Sequence, residues 1–195
     1  MMSELMHDPD TGDRVPPADE LPPVCADAPA LLRADDQASL RAVFALAAQA
    51  RAQGRHPFAA RVLAADGTLL AEAINHSMPP EGDPTCHAER MAAAVAARLA
   101  TPQQLRTATL YTNAEPCAMC AGAIYWCGIG RVVYGLSETA LLGLTGNHPE
   151  NPTLSLPCRQ VFAAGQRPTE VVGPCLQDEA AVAQRGFWQG GAHAG

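Results

Sequence analysis

The 195-residue chain is 48% hydrophobic and 17% charged, which allows one domain with a real core and leaves too little length for two. Its formal charge of −7 comes wholly from residues 1–36, where nine carboxylates meet two Arg; beyond them eleven acidic side chains balance eleven Arg, and no Lys occurs. No basic stripe is left to follow a phosphate backbone, so nucleic acid is not the expected partner, and no apolar run is long enough to span a bilayer.

Residues 1–36 are rich in Pro, Asp and Glu, with Pro16-Pro17 and Pro22-Pro23 as breakers, and are expected to form a disordered or draped tail. The folded domain is expected over 37–190, with a flexible Gly-rich end at 191–195. Met1-Met2-Ser3-Glu4 carries acid where a secretory leader would be apolar. With seven Cys, an odd number, this predicts a cytoplasmic protein with reduced thiols. Cys25, Cys86, Cys127, Cys158 and Cys175 then read as small fillers.

Asp35-Asp36 is expected to cap a helix running to Gly54, with Leu40, Val43, Phe44, Ala47 and Ala48 on its apolar face. Two short strands follow at 58–65 and 69–74, joined by the hairpin signal Asp66-Gly67. A Pro-rich loop over 75–84 leads to Asp83 or Thr85 as the cap of a helix over 86–99. A third strand at 109–112, a helix over 117–126 and a fourth strand at 131–135 come next. Over 136–168 the pattern is weaker: residues 147–152 read as loop and 159–164 as a short helix. A fifth strand at 170–172 and a helix over 178–185 close the pattern. Strands that alternate with helices after an initial hairpin give an α/β domain of three layers, α/β/α, around a five-stranded mixed sheet. The helix between the fourth and fifth strands makes those last two parallel.

Chemistry gathers in His87-Ala88-Glu89 and Pro116-Cys117-Ala118-Met119-Cys120. Zn²⁺ takes nitrogen and sulfur donors in a tetrahedron, and a catalytic site leaves the fourth vertex to water. His87, Cys117 and Cys120 make such a three-ligand set. Cys117 and Cys120 stand three apart at a helix start, so their thiolates share a side and the helix N-terminus favours their ionised form. Glu89, two residues beyond His87, is the acid free of metal duty. A structural zinc would need a fourth ligand; Cys127, seven residues beyond Cys120 and about two helical turns away, is too distant.

These two halves, in this order, resemble the cytidine deaminase superfamily, in which H-x-E followed by P-C-x-x-C marks zinc nucleobase deaminases. The resemblance spans about residues 58–136 and takes in Asp83-Pro84-Thr85 and Thr109-Leu110-Tyr111-Thr112. It is similar to the branch holding guanine deaminases, tRNA adenosine deaminases and yeast-type cytosine deaminases. It implies a Zn²⁺ enzyme that hydrolyses the amine from a small heterocycle, a nucleobase of guanine type or its nucleoside. Editing of tRNA adenosine and cytosine deamination are the alternatives. It also implies the three-layer fold and a homodimer. A zinc-stabilised binding module is the rival of another class, and it leaves Glu89 without a purpose.

Further site candidates follow from the same resemblance. An Asn at the end of the second strand contacts substrate in similar deaminases, which points to Asn75; taken alone, it suits a turn equally well. Phe58 could stack on a flat ring, although a core Phe is the default. Ala88 and Glu115 join the candidate substrate contacts, and Glu115 also suits a helix N-terminus. Gly122-Ala123-Ile124-Tyr125-Trp126 looks like guanine deaminases. Phe187-Trp188 lies where their C-terminal segment covers an active site, so Trp188 is a candidate too. One departure stands out. Guanine deaminases follow the fourth strand with an acid used in purine recognition; Ala140 occupies that place, with Glu138 displaced from it, and 143–157 matches no family pattern.

Overall fold

The computed structural model describes residues 32–78, 82–146 and 148–189; most of the expected tail and the end at 191–195 lie outside them. In chain order the elements are α1 (Asp36–Ala52), β1 (Ala59–Leu63), β2 (Leu69–Ile74), α2 (Ala88–Leu99), α3 (Pro102–Thr107), β3 (Thr109–Ala114), α4 (Ala118–Cys127), β4 (Arg131–Leu136), α5 (Glu138–Thr145), α6 (Cys158–Ala163), β5 (Glu170–Val172) and α7 (Gln177–Ala180), which runs into a 3-10 turn over Ala181–Ala183. The sheet order is β2-β1-β3-β4-β5. β1 is antiparallel to both its neighbours, whereas β3, β4 and β5 are parallel. No helix among the described residues is long and apolar enough to cross a membrane.

Side-chain alternation explains the layers. Leu110 and Val132 face the layer of α2, α4 and α6, while Tyr111 and Val133 face α1. β3 and β4 are therefore buried on both faces, as strands inside a parallel sheet must be. α2 turns Ala88, Ala92, Ala93 and Ala96 inward, each fully buried. Such small side chains let α2 lie close against the sheet and α4, and both helices begin at the same sheet edge.

α1 buries Leu40, Val43, Ala47 and Ala50 at three- and four-residue spacing; Ala50 takes the inward place expected of Ala48, which is exposed. The helix ends at Gln53 and Gly54, whose φ of +73° is the left-handed backbone glycine tolerates. Neither Asp caps the helix start. The Asp35 side chain makes no cap bond, and Asp36 turns inward as the first helical residue. Its carboxylate accepts from Arg131 Nη1 and Nη2 at 2.8 Å each and from Tyr111 Oη at 2.8 Å. Leu32 and Arg33, grouped by composition with the tail, pack here too: Leu32 lies against the α1 core and Arg33 pairs with Glu170 at 3.1 Å.

This network sits at 1% exposure for Asp36 and 3% for Arg131, so removing one partner strands a buried charge. Asp36→Ala is expected to lower stability by about 3–5 kcal/mol; a loss under about 1 kcal/mol by calorimetry would contradict it. Burial alone would push the Asp36 carboxyl up, but hydrogen bonds from Arg131, the Arg33 amide and Tyr111 outweigh it and hold it below its ordinary value. A carboxyl that is lower in the folded state takes up a proton on unfolding at pH values between the folded and unfolded values. Its stabilisation is therefore complete above about pH 4, the unfolded value, and is lost as the pH falls through the folded value. Wild type and Asp36→Ala should converge in melting temperature only in that acid range.

Two helices lie where no element was expected. α3 is written in Thr101-Pro102-Gln103-Gln104, a reciprocal capping box with Pro at the helix start. α5 starts from Ser137, whose Oγ accepts from the Ala140 amide at 3.2 Å. α2 begins two residues later than expected. His87 stands at its N-cap position with no side-chain cap bond, and Asp83 instead accepts from the Thr85 amide at 2.7 Å and the Cys86 thiol at 2.9 Å. The expected final helix is cut short, because only Gln177–Ala180 is α-helical before the 3-10 turn.

Candidate active site

α2 and α4 start side by side at the sheet edge where β3 ends. His87 is the N-cap residue of α2 and Cys117 that of α4, with Cys120 in the first turn of α4. Their ligand atoms all lie within 4.8 Å of one another. His87 Nδ1 is 3.6 Å from Cys117 Sγ. A tetrahedral zinc with Zn–N near 2.05 Å and Zn–S near 2.3 Å separates such atoms by about 3.6 Å. The three residues are placed as a zinc site of the open, three-ligand kind.

The charges suit a metal. Hydrogen bonding from Cys120 holds the Cys117 thiol far below its ordinary value, while Cys120, which keeps the shared proton, is pushed up. Cys117 thus offers a ready thiolate at a helix N-terminus. The bond to Cys117 raises the His87 imidazole against the opposing cost of burial.

Glu89 lies on the first turn of α2 at 5% exposure. Its Oε1 accepts from Thr112 Oγ1 at 3.2 Å, and the Cys120 thiol points at Oε2 from 3.6 Å. Burial is the largest influence on its carboxyl and pushes it up. A buried carboxyl fixed by one hydroxyl beside a metal site can take and return protons.

Above this floor opens a cavity of ≈ 570 Å³, a size typical of small-molecule sites. Asn75 and Phe58 line it. Asn75 is 1% exposed, and its Oδ1 accepts from the Ser77 amide at 2.9 Å and Ser77 Oγ at 2.7 Å. The amide oxygen is thereby occupied, which leaves the amide NH₂ to act as donor. Glu115 also lines the cavity, but its carboxylate has other work than steadying its own helix. Oε1 accepts from the Cys158 amide at 3.0 Å and Oε2 from the Glu138 amide at 3.1 Å. It clamps the starts of α6 and α5.

Ala88 and Trp188 stand apart from the lining. Ala88 is fully buried in the core beneath α2. Trp188, 5% exposed, backs the wall: its ring lies 5.0 Å from His56, 6.0 Å from Phe58 and 5.3 Å from His148, and its indole N–H donates to Gln184 at 2.9 Å. The C-terminal segment therefore packs behind the cavity of its own chain.

Further titratable residues line the cavity. His56 Nε2 lies 3.0 Å from Glu150 Oε2 across the mouth, and residues 149–154 form one wall. Glu138, at the start of α5, lines the cavity, and its carboxyl is pushed up to about 7, by burial first and then by the charges of Cys117, Glu115 and Glu89. For Glu138 a signal existed: Ser137-Glu138 is a capped helix start after a parallel strand, the place where ligands bind in α/β sheets. For His56 and Glu150 there was none, since 94 residues separate them.

Residues 33–136 match the family model of the cytidine and deoxycytidylate deaminase zinc-binding region. The chain is 42% identical to a probable cytosine deaminase of Schizosaccharomyces pombe over 156 residues, 80% of this chain and 94% of the other. It is 42% identical to a guanine deaminase of Bacillus subtilis over 83 residues, 43% of this chain and 52% of the other. Among solved structures it is similar to guanine deaminase from Nitrosomonas europaea, with a TM-score of 0.62 at 27% identity, covering 87% of this chain and 94% of that one.

Proposed function

We propose, from the premise that the chain belongs to the cytidine and deoxycytidylate deaminase family and is a hydrolytic deaminase, that its substrate is a free nucleobase of guanine type. One observation carries the reading: Glu89 lines the same cavity as His87 and Cys117, two of the three residues placed to hold a metal, and that cavity is walled by Phe58, Leu141 and Asn75. A flat heterocycle fits between the apolar faces, with the Asn75 N–H groups toward a carbonyl or ring nitrogen.

Zinc, when bound, supplies the Lewis acid that makes a water nucleophilic near neutral pH. Glu89 takes a proton from the attacking water and passes it to the ring nitrogen next to the amine-bearing carbon. That carbon gains the water oxygen and becomes tetrahedral. Glu89 then takes the remaining hydroxyl proton and delivers it to the exocyclic amine. The C–N bond breaks, ammonia leaves with the bonding electrons, and the carbonyl forms. Thr112 Oγ1 holds Oε1 of Glu89 in place throughout.

The described lining carries four Glu and no Arg. That repels a phosphate backbone and favours a neutral base over a tRNA arm. The S. pombe relative favours cytosine as the second reading. The test is ammonia release from guanine, adenine, cytosine, isocytosine and their nucleosides. Guanine as best substrate supports the first reading and cytosine the second, while no ammonia from any of these, with release from a tRNA added to the same panel, overturns both.

A homodimer and a cytoplasmic home complete the proposal. Trp126 and Leu99 are 76% and 70% exposed at the far ends of α4 and α2, and apolar surface of that kind supports self-association. No disulfide joins the six described Cys, which suits a reducing compartment.

A further inference from the structure

The cavity wall holds one carboxyl without an assignment. Glu89 is held by Thr112, Glu115 is engaged by two helix starts, and Glu150 faces His56. Glu138 gives its backbone N–H to Glu115, yet no described residue hydrogen-bonds or ion-pairs with its side chain, which lines the cavity half-buried. One polar atom in the same wall, Thr153 Oγ1, is buried with no hydrogen-bond partner among the described residues. Buried polar groups are seldom left this way unless a ligand completes them.

Topology fixes where Glu138 stands relative to Asn75. Ile74 pairs with Ala59, Ala60 with Thr112, and Ala114 with Leu136. The end of β2, the start of β1 and the ends of β3 and β4 thus share one sheet edge. Asn75, Phe58, Glu115 and Glu138 succeed one another along it. Asn75 and Glu138 flank the site from opposite sides, three strand spacings apart, or about 14 Å at the backbone. The Asn75 side presents N–H donors and the Glu138 side presents carboxyl oxygens. A ring held between them must offer an acceptor to one flank and a donor to the other.

We propose that Glu138 is a specificity-determining residue that accepts a hydrogen bond from the ring N–H that a nucleoside replaces with its glycosidic bond, so that the site selects free bases over nucleosides. This rests on the deaminase reading and deepens it. In guanine and in cytosine alike, that ring nitrogen is a donor in the free base. In a nucleoside it carries the sugar and leaves the half-buried carboxyl without a partner, at a cost in binding. Discrimination by an unmet hydrogen bond is steep, steeper than any apolar wall supplies.

The test compares guanine with 9-methylguanine and cytosine with 1-methylcytosine, a methyl group standing in for the sugar. For the better base, wild type should prefer the unmethylated ring by about 10²-fold or more in kcat/KM. Glu138→Ala should lose about 10²-fold on the free base and change little on the methylated one, and Glu138→Gln, which keeps an acceptor oxygen, should recover part of the loss. Equilibrium binding of the same pairs to Glu89→Gln, with and without Glu138→Ala, reads the discrimination without turnover. Absence of ammonia from every ring, with discrimination in binding intact, would count against the deaminase reading alone. Equal losses on the free and methylated base, an unchanged ratio, or no binding of either base would overturn the role of Glu138.

Discussion

Glu89→Gln should fold, keep its zinc, bind a nucleobase and be nearly inert. The carboxyl is buried, fixed by Thr112 and pushed toward its protonated form by burial, so it can hold a proton between steps. Each general acid–base role is worth about 10²–10⁴ in rate. Because one group serves water, ring nitrogen and leaving amine in turn, the expected loss in kcat exceeds about 10³-fold. An amide can occupy the same space and accept from Thr112, but it cannot carry the proton. Glu115→Gln is the informative contrast. Both Glu115 oxygens are committed to backbone amides, so its substitution should cost about 1–3 kcal/mol of stability and loosen the wall, with only a modest loss of turnover. Turnover of Glu89→Gln within tenfold of wild type, beside an inactive Glu115→Gln, would overturn the assignment.

Cys117→Ala should do the opposite and empty the site. With Cys117 gone, His87 and Cys120 leave a two-ligand set, and zinc content should fall from about one per chain to under about a tenth. Cys117 also carries the thiolate that the local charges favour, so its loss removes the strongest anionic donor. Metal binding is coupled to folding. The melting temperature of the zinc-loaded protein should therefore drop, and chelation of wild type should lower it in the same way while leaving the variant unmoved. Metal analysis and calorimetry on the same samples check both. Full zinc content in a His87→Ala/Cys117→Ala double variant would contradict the ligand set. The two variants bracket the site: one keeps zinc without turnover, the other has neither.

Much of this was legible because it is local. A ligand pair three apart, an acid two residues past a His, and short strand signals at 109–112 and 131–135 are all short-range patterns, and they pointed to the metal set, Glu89 and the sheet. α3 is written just as locally, in Thr101-Pro102 and Gln104. Other features depended on partners far along the chain. Asp36 looks like a helix cap until Arg131, 95 residues on, claims its carboxylate. Glu115 looks like a dipole partner for its own helix until the fold brings two other helix starts to it. Trp188 reads as a substrate contact, yet packing sets it behind His56 and Phe58. The sequence by itself determined the chemistry, because metal ligation and proton transfer need particular side chains at particular spacings. Only the tertiary structure decided what surrounds that chemistry: the order of strands at one sheet edge sets Asn75 opposite Glu138, and no short-range pattern encodes which strands become neighbours.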